Sequence, residues 1–367
     1  MRRRKLLTSA FAGLAAAACS RPDSADDNRQ SNAASFRWKM VTSWPANFPG
    51  FGSAANFLAE MIETSSNGRL SIRIFAADEL VPAFEVFDAV SGGTAEMGHS
   101  APVYWKGKIP SAQFFSGIPF GMLPMEFNAW LYHGGGQELW AEAYAPFGVM
   151  PLSAGNTGPQ MGGWFRRTIE SLDDLAGLKM RMPGLGAEVL KRAGATPVNI
   201  AGADLYTALQ TGAIDATEWA GPYNDQAFGF HDIAPYYYYP GWHEPSGTLE
   251  CLVNADAYAQ LPADLRSVVR SACSATNEVI LAEFTARNQV ALRQLVDEHG
   301  VELRRFPDDV MRRLKELTAD VIADQRASDA LTNRVAESYA GFQQRSAEWR
   351  RVSADAFLDA RSSQAGR

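Results

Sequence analysis

The sequence TGAIDATEWAGP, at residues 211–222, ends one predicted helix at a glycine and opens a short predicted strand that carries Glu218. A second acidic residue, Glu244, follows in PGWHEP at residues 240–245, directly after four consecutive tyrosines. Both acidic residues have tryptophan and proline neighbours. A charged carboxylate in apolar surroundings is costly unless a cation or a hydrogen-bond donor meets it. The segment therefore predicts a bound metal cation with a small organic acid beside it.

Strand and helix patterns alternate before and around this segment. One series covers residues 36–100, and a second covers residues 148–218. Such an order is typical of α/β domains and predicts parallel strands. Across residues 265–342, apolar residues recur at helical spacing, which predicts long C-terminal helices. These helices could brace two lobes or supply a dimer surface.

Length and composition narrow the class of protein. A chain of 367 residues is typical of about two domains, at roughly 150 residues per domain. The formal net charge is −7; without residues 1–19, which hold four of the 34 basic residues and none of the 41 acidic ones, it becomes −11. A nucleic-acid partner requires a basic face, so we expect none. A small anionic ligand stays compatible, since one well-placed arginine can bind it.

Residues 1–19 have the features of an export signal. Four basic residues precede an apolar run that is too short to cross a bilayer. Two finer interpretations stay open. Arg3 and Arg4, followed by Lys-Leu-Leu, are typical of a twin-arginine signal, whereas Cys19 after small residues is typical of a lipoprotein cleavage site. We therefore expect a periplasmic protein, either free or lipid-anchored through Cys19.

The chain after the signal divides into four predicted regions. The first is polar, rich in small residues and suited to a flexible connection, and the other three contain the structured elements. No further run of about 20 apolar residues occurs, so the sequence predicts no membrane span. The regions are a tether (20–35), a first lobe (36–156 with part of 250–305), a second lobe (157–249) and a C-terminal helical region (306–367).

Two cysteines besides Cys19 need an interpretation. Cys251 and Cys273 could form a disulfide in an oxidising compartment. One lies in a predicted strand and the other in a predicted helix, which favours two separately buried thiols. Their spacing does not suit a metal site.

Seven long stretches of the chain resemble the extracytoplasmic solute-binding proteins of TRAP transporters, the DctP-like family. Within that family the sequence is most similar to the periplasmic proteins that bind pyruvate-type 2-oxo acids. The resemblance covers nearly all of the chain after the signal. The stretches that carry it are ELVPAFEVFDAVSGGTAEMGH (79–99), YWKGK (104–108), NAWLYHGGGQELW (128–140), GNTGPQMGGWF (155–165), LKMRMPGLGAEVLKRAGATPVN (178–199), LQTGAIDATEWAGPYND (209–225) and YYYYPGWHEP (236–245).

The resemblance implies a two-lobe periplasmic binding protein with a hinge, which closes over one solute and delivers it to the small and large membrane subunits. It also implies a homodimer through the C-terminal helices. The expected solute is a small 2-oxo monocarboxylate such as pyruvate or 2-oxobutyrate. Its carboxylate would meet Arg181, and a cation would be held by the Gln160 side chain, Glu218, the Trp219 carbonyl and Glu244. Gln160 and Trp219 would also contact the solute, and Tyr104 would add a contact from the first lobe.

The residue types agree with this expectation but do not require it. Carboxylate, amide and carbonyl oxygens without His or Cys suit Na⁺, or alternatively Ca²⁺, and do not suit zinc. By residue type alone, Arg181 would more often form an internal salt bridge, and the two glutamates would more often be partly buried acids bonded to the backbone. A lone histidine, His243, is more often simply hydrogen-bonded.

Two other functions stay open on the sequence. A 2-hydroxy acid such as lactate, bound with Ca²⁺, places a hydroxyl where a 2-oxo acid has its carbonyl. A metal-dependent hydrolase or lyase could use Glu218 and Glu244 as paired acids. An arginine and a cation would hold both acids ionised, however, and leave no proton donor. We therefore expect a binding protein rather than an enzyme.

Overall fold

The computed structural model describes residues 34–363. The predicted signal, most of the tether and Cys19 lie outside the described residues. From Phe36 the chain forms one compact unit with two β-sheets. Its strands are β1 (Phe36–Thr42), β2 (Leu70–Phe75), β3 (Met97–Ser100), β4 (Val149–Asn156), β5 (Gly163–Phe165), β6 (Lys179–Arg181), β7 (Thr196–Val198), β8 (Ala216–Thr217), β9 (Tyr236–Tyr239), β10 (Thr248–Asn254) and β11 (Glu302–Arg305).

Thirteen α-helices occur within the described residues, joined in places by short 3₁₀ turns. They are α1 (Phe51–Ser65), α2 (Val86–Ser91), α3 (Gln113–Ser116), α4 (Pro124–His133), α5 (Gly136–Tyr144), α6 (Gly184–Arg192), α7 (Leu205–Thr211), α8 (Pro222–Phe228), α9 (Ala255–Gln260), α10 (Ala263–Asp297), α11 (Asp308–Arg326), α12 (Ala330–Arg350) and α13 (Ala356–Ser363). None of the described helices is long and apolar enough to cross a membrane.

The first sheet has the strand order β2-β1-β3-β10-β4. Strand β1 runs parallel to β2 and β3, as expected for an α/β series, whereas β10 runs antiparallel to both β3 and β4. The expectation of parallel strands is therefore only partly right. Strand β10 enters from the other end of the sheet after a long excursion of the chain through the second sheet, and local sequence patterns do not report that direction.

The second sheet has the order β11-β9-β5-β8-β6-β7. Its main parallel part is β7, β6 and β8, and β11 and β9 are also parallel to each other, whereas the short β5 is antiparallel to both of its neighbours. In the parallel part, Arg181 is in register with Thr217. The residue after Thr217 is Glu218, so the arginine and the glutamate emerge at the same carboxyl-terminal edge, where α/β sheets commonly bind ligands.

The long helices connect the two sheets. Helix α10 has 35 residues and packs against β4 of the first sheet and against α8, which follows β8 of the second. Helix α11 packs on α6, and α12 packs on α4 and α5. The two-lobe α/β fold with long C-terminal helices is thus as predicted. Cys251 in β10 and Cys273 in α10 are both buried and not joined by a disulfide.

Candidate functional site

A cavity that is partly open to solvent lies between the two sheets, with an empty volume of about 370 Å³ including that open space. Residues from both lobes and from the segments that connect them line it. The structure brings all six sequence-predicted site residues into this one cavity, namely Tyr104, Gln160, Arg181, Glu218, Trp219 and Glu244.

Arg181 is fixed by the second sheet and is almost completely buried. Its Nη1 forms a salt bridge with Oε1 of Glu218, and its Nε donates to the carbonyl oxygen of Ile200 at 3.3 Å. The guanidinium also lies 4.9 Å from the ring centroid of Trp219. Its Nη2 is buried and has no hydrogen-bond partner among the described residues. Part of the guanidinium thus forms the internal salt bridge, and part is left to meet an acceptor in the cavity.

Gln160 and Glu244 lie on the two segments that connect the sheets, β4 to β5 and β9 to β10. Their backbones pair directly, with the Gln160 amide donating to the Glu244 carbonyl oxygen at 3.2 Å. Nε2 of the Gln160 side chain donates to Oε2 of Glu244 at 2.7 Å and to the Thr157 hydroxyl at 3.2 Å. The amide nitrogen of Gln160 therefore faces Glu244, and its amide oxygen lies 3.3 Å from Nε2 of His243.

His243 is a site residue that sequence reasoning assigned only a minor role. Its Nε2 lies 3.2 Å from Oε2 of Glu218 and 3.3 Å from Oε1 of Gln160. Both partners are acceptors, so this nitrogen carries a proton and the ring holds the two predicted cation ligands in place. In the sequence, only the position of His243 next to Glu244 indicates this role. An isolated histidine belongs to no periodic pattern that would reveal which residues it contacts.

The electrostatics of the cavity favour an added positive charge. Among the described residues that line the cavity, Arg181 is the one basic side chain, against two carboxylates. Burial raises the pKa of Glu244 to about 8, and the charge of Glu218 adds to this effect, while Arg181 and Gln160 oppose it. When both acids are ionised, a single guanidinium leaves one negative charge unbalanced, which a cation would offset. The residues therefore fit a cation with oxygen ligands, as the sequence predicts.

Tyr104 is one of the polar residues that line the cavity from the first lobe, with Ser116 and Thr248. Burial raises the pKa of its hydroxyl to about 12, and the neighbouring Arg181 opposes the shift. The hydroxyl therefore stays protonated at neutral pH and can donate a hydrogen bond to an oxygen of a ligand. Aromatic and apolar side chains, including Trp44, Phe51 and Leu249, complete the wall around it.

The cavity is closed by contacts that cross from one lobe to the other. The rings of Phe51 and Trp219 meet edge to face with centroids 5.4 Å apart, and those of Phe48 and Phe228 are 4.4 Å apart. Nδ2 of Asn224 also donates a hydrogen bond to the carbonyl oxygen of Pro49. These contacts join first-lobe residues near α1 to second-lobe residues near α8, so the described structure has the closed form of the site.

Gly247 provides a direct test of the site's packing. A methyl group there would lie 2.4 Å from Nε2 of Gln160 and 2.5 Å from the Thr157 hydroxyl. We expect Gly247→Ala to displace the Gln160 amide and to weaken cation and ligand binding by about 10- to 100-fold, as loss of supporting contacts does at metal sites. Calorimetric titration measures the change. Gly107→Ala is the matched control, because a methyl group there meets nothing within 4 Å; equal binding by the two variants would contradict the prediction.

Comparison with known proteins identifies the class of protein that this fold and site define. Residues 40–329 match the family of bacterial extracellular solute-binding proteins, family 7, also called DctP. The chain belongs to this family. It is therefore an extracytoplasmic solute-binding subunit of a transporter and not an enzyme, as the sequence indicated, and it acts with membrane components.

Three similar proteins narrow the comparison. A monocarboxylate 2-oxoacid-binding periplasmic protein of Nostoc sp. is 38% identical over 353 residues, 96% of each chain. A TRAP periplasmic solute-binding protein of Pseudoalteromonas atlantica, solved with sodium and pyruvate, is 43% identical with a TM-score of 0.86, covering 89% of this chain and 99% of its own. One from Bordetella bronchiseptica, a dimer with calcium and picolinate, is 35% identical with a TM-score of 0.89, covering 91% and 99%.

Proposed function

We propose that the cavity binds a small 2-oxo monocarboxylate of the pyruvate or 2-oxobutyrate type, together with a Na⁺ or Ca²⁺ ion, for delivery to TRAP membrane subunits. One observation carries the proposal. A buried guanidinium with an unpartnered Nη2 lies in the same small cavity as two buried carboxylates and one amide. A guanidinium binds a carboxylate through two parallel hydrogen bonds, and an oxygen-rich set binds a hard cation.

Different residues would bind the solute carboxylate and the cation. Arg181 would bind the solute carboxylate, with Tyr104 donating a hydrogen bond from the first lobe. Gln160, Glu218, Glu244 and the Trp219 carbonyl would hold the cation, and the cation would bridge them to the carboxylate and the 2-oxo oxygen. Pyruvate and picolinate, which the similar proteins bind, both carry a second donor atom beside a carboxylate. This common geometry supports a cation that chelates the ligand.

The summed formal charge of the occupied site depends on which cation is bound. Arg181, Glu218 and Glu244 together carry −1 when all are ionised. A monocarboxylate with Ca²⁺ brings this sum to zero, whereas the same solute with Na⁺ leaves −1. When bound, the cation would balance the charge of the site.

A titration of metal-stripped protein tests the proposal. Pyruvate, 2-oxobutyrate, lactate, succinate and a sugar are added in turn, with Na⁺, Ca²⁺ or no cation, and heat and tryptophan fluorescence are recorded. We expect tight binding of one 2-oxo monocarboxylate per chain, and only with a cation present. Lactate with Ca²⁺ as the tightest pair would replace the solute class by a 2-hydroxy acid. No binding of any carboxylate would overturn the proposal.

Binding of Ca²⁺ should release close to one proton at pH 7. In the cation-free protein Glu244 has a pKa of about 8, so most of it is protonated at pH 7, whereas Ca²⁺ requires the carboxylate. Affinity should thus rise with pH up to about 8 and then level off. The same raised pKa makes the cation-free fold lose stability as pH rises from about 4.5 to 8. Calorimetry in buffers of different ionisation enthalpy counts the protons; an uptake of protons would contradict this assignment.

A second copy of the chain is the proposed occupant of an apolar surface at the C-terminal helices. Trp349 is 71% exposed at the end of α12, and Val352, Phe357 and Leu358 are exposed beside it. The Bordetella protein, of the same fold, is a dimer. Light scattering of wild type should give twice the chain mass. Phe357→Glu should give a monomer and Leu303→Glu, at an exposed leucine on β11 of the second sheet, should not; a monomeric wild type would refute the dimer.

Periplasmic location follows from the family, and the means of retention is a further part of the proposal. Cys19 would carry a lipid if the signal is removed at the lipoprotein site. The intact mass of the protein from membranes distinguishes the two routes, because a lipid-linked Cys19 becomes the first residue and adds the acyl chains. A soluble product cleaved after Cys19 would exclude the anchor.

A further inference from the structure

Asp225 is a buried carboxylate beside the cavity that the proposed function leaves without a role. It lies on α8, and its two oxygens have different partners. Oδ2 accepts from the Tyr237 hydroxyl at 2.7 Å and from Nε1 of Trp164 at 3.0 Å, whereas Oδ1 accepts from the backbone amide of Ala220 at 3.2 Å. Burial raises its pKa to about 7, and these three donors oppose the shift.

The amide that Asp225 holds belongs to the same peptide unit as the Trp219 carbonyl. This peptide bond is trans, because the one cis bond among the described residues is Tyr239–Pro240. In a trans peptide the carbonyl and the N–H point in opposite directions within one plane. No described residue donates a hydrogen bond to the Trp219 carbonyl oxygen, and Trp219 lines the cavity. Holding the N–H therefore fixes the direction of a carbonyl that is free to bind a cation.

We propose that Asp225 is a positioning residue for the cation, acting through the Trp219–Ala220 peptide. It fixes the plane of that peptide and, by drawing on the N–H, increases the negative charge on the carbonyl oxygen that faces the cation. This inference rests on the proposed function, because it requires the Trp219 carbonyl to be a cation ligand. Groups that orient and polarise ligands of a metal commonly change its affinity by 10- to 100-fold.

The two oxygens of Asp225 accept from different donors, and this difference allows a positioning role to be distinguished from a purely structural one. In Asp225→Asn only one oxygen remains for three donors. Two side-chain donors, one of them at 2.7 Å, compete with a single backbone donor at 3.2 Å, so the oxygen should take the Oδ2 position. The new NH₂ group then faces the Ala220 N–H and repels it. In Tyr237→Phe one donor is lost from Oδ2, which also raises the pKa of Asp225 further. Wild type and variant are therefore compared at about pH 9.5, where the carboxylate is ionised and draws more strongly on the Ala220 N–H.

Selective labelling observes this peptide directly. Trp followed by Ala occurs only twice in the sequence, at Trp140–Ala141 and Trp219–Ala220. Protein made with ¹³C-carbonyl tryptophan and ¹⁵N-alanine should therefore give two signals in a carbonyl–amide correlation spectrum. At pH 8, adding Ca²⁺ should shift the Trp219–Ala220 signal in both the carbonyl and the amide dimension. Trp140–Ala141, in helix α5 of the first lobe, is the internal control and should stay in place.

The two variants should have opposite effects on the hydrogen bond of the Ala220 N–H and different effects on Ca²⁺ affinity. Asp225→Asn should weaken Ca²⁺ binding about tenfold and reduce the carbonyl shift. Tyr237→Phe should move the Ala220 amide proton downfield and leave Ca²⁺ affinity at least as high as in wild type. If Asp225→Asn does not fold, the direction of the Tyr237→Phe shift still decides. An Ala220 signal unmoved in Tyr237→Phe, or equal Ca²⁺ loss in both variants, would overturn the proposal.

The failure of this inference is distinguishable from that of the proposed function. If wild type binds no Ca²⁺, Na⁺ or monocarboxylate, the cation site is absent and both fall. If wild type binds Ca²⁺ and Glu218→Gln removes that binding, the site stands. If Ca²⁺ then leaves the Trp219–Ala220 signal of the wild-type protein unmoved, Asp225 is rejected as a positioning residue and the cation site stays intact.

Discussion

Arg181→Met should lower monocarboxylate affinity by roughly 30-fold or more, because truncating one partner of a buried charged pair typically costs about 2–5 kcal/mol. The guanidinium is the only basic group lining the cavity, and its Nη2 has no partner among the described residues. The change should also lower the free energy of unfolding by about 3–5 kcal/mol, since Glu218 is left buried without its counter-charge. Calorimetric titration and chemical denaturation measure the two effects separately.

The matched control for this variant is Arg192→Met on helix α6. Arg192 also pairs with a carboxylate, that of Asp324, but the side chains are 38% and 67% exposed. Exposed pairs contribute at most about 1 kcal/mol. This control should retain wild-type affinity. If Arg181→Met bound pyruvate as tightly as the control, the anion would be recognised by something other than this guanidinium.

The two-lobe α/β fold follows from the sequence because its signals are long and repeated. The strand and helix patterns and the long apolar helices each extend over many residues, so local irregularities do not hide them. The direction of β10 is different, because it depends on where the chain returns after 90 residues spent largely in the second sheet. No local pattern within 248–254 records that path, and so the antiparallel pairing is visible only in the structure.

The candidate site, too, could be predicted only in part from the sequence. Gln160, Arg181 and Glu244 lie on separate segments, and the residue types alone favour an ordinary salt bridge and ordinary buried acids. The structure contains that salt bridge, between Arg181 and Glu218, and yet leaves Nη2 of the same guanidinium unpartnered. Arg181 therefore combines a structural role, in the salt bridge, with a nitrogen that is free to bind a ligand. The contacts of His243 with Gln160 and Glu218 span 83 and 25 residues of sequence, so the sequence gives no sign of them. Asp225 is bonded to an amide only five residues away, but its burial and its bonds to Tyr237 and Trp164 are visible only in the structure.

Glu218→Gln should abolish cation-dependent binding and lower stability by about 3–5 kcal/mol, since it leaves the buried guanidinium without a counter-charge. Glutamine keeps the shape and an acceptor for His243, which lies 3.2 Å from Oε2 of Glu218, so the loss would come from the charge rather than from a cavity. Denaturation and calorimetry with Na⁺ or Ca²⁺ measure both effects.

The double variant Arg181→Met with Glu218→Gln separates folding from binding. Replacing both members of a buried ion pair is often nearly neutral, whereas breaking the pair is not. The double variant should therefore recover most of the stability that each single variant loses, a coupling expected between residues in direct contact. Its affinity for monocarboxylates should stay as low as that of Arg181→Met. Additive losses of stability would mean that the two charges do not interact in solution, and recovered binding would mean that neither contacts the solute complex.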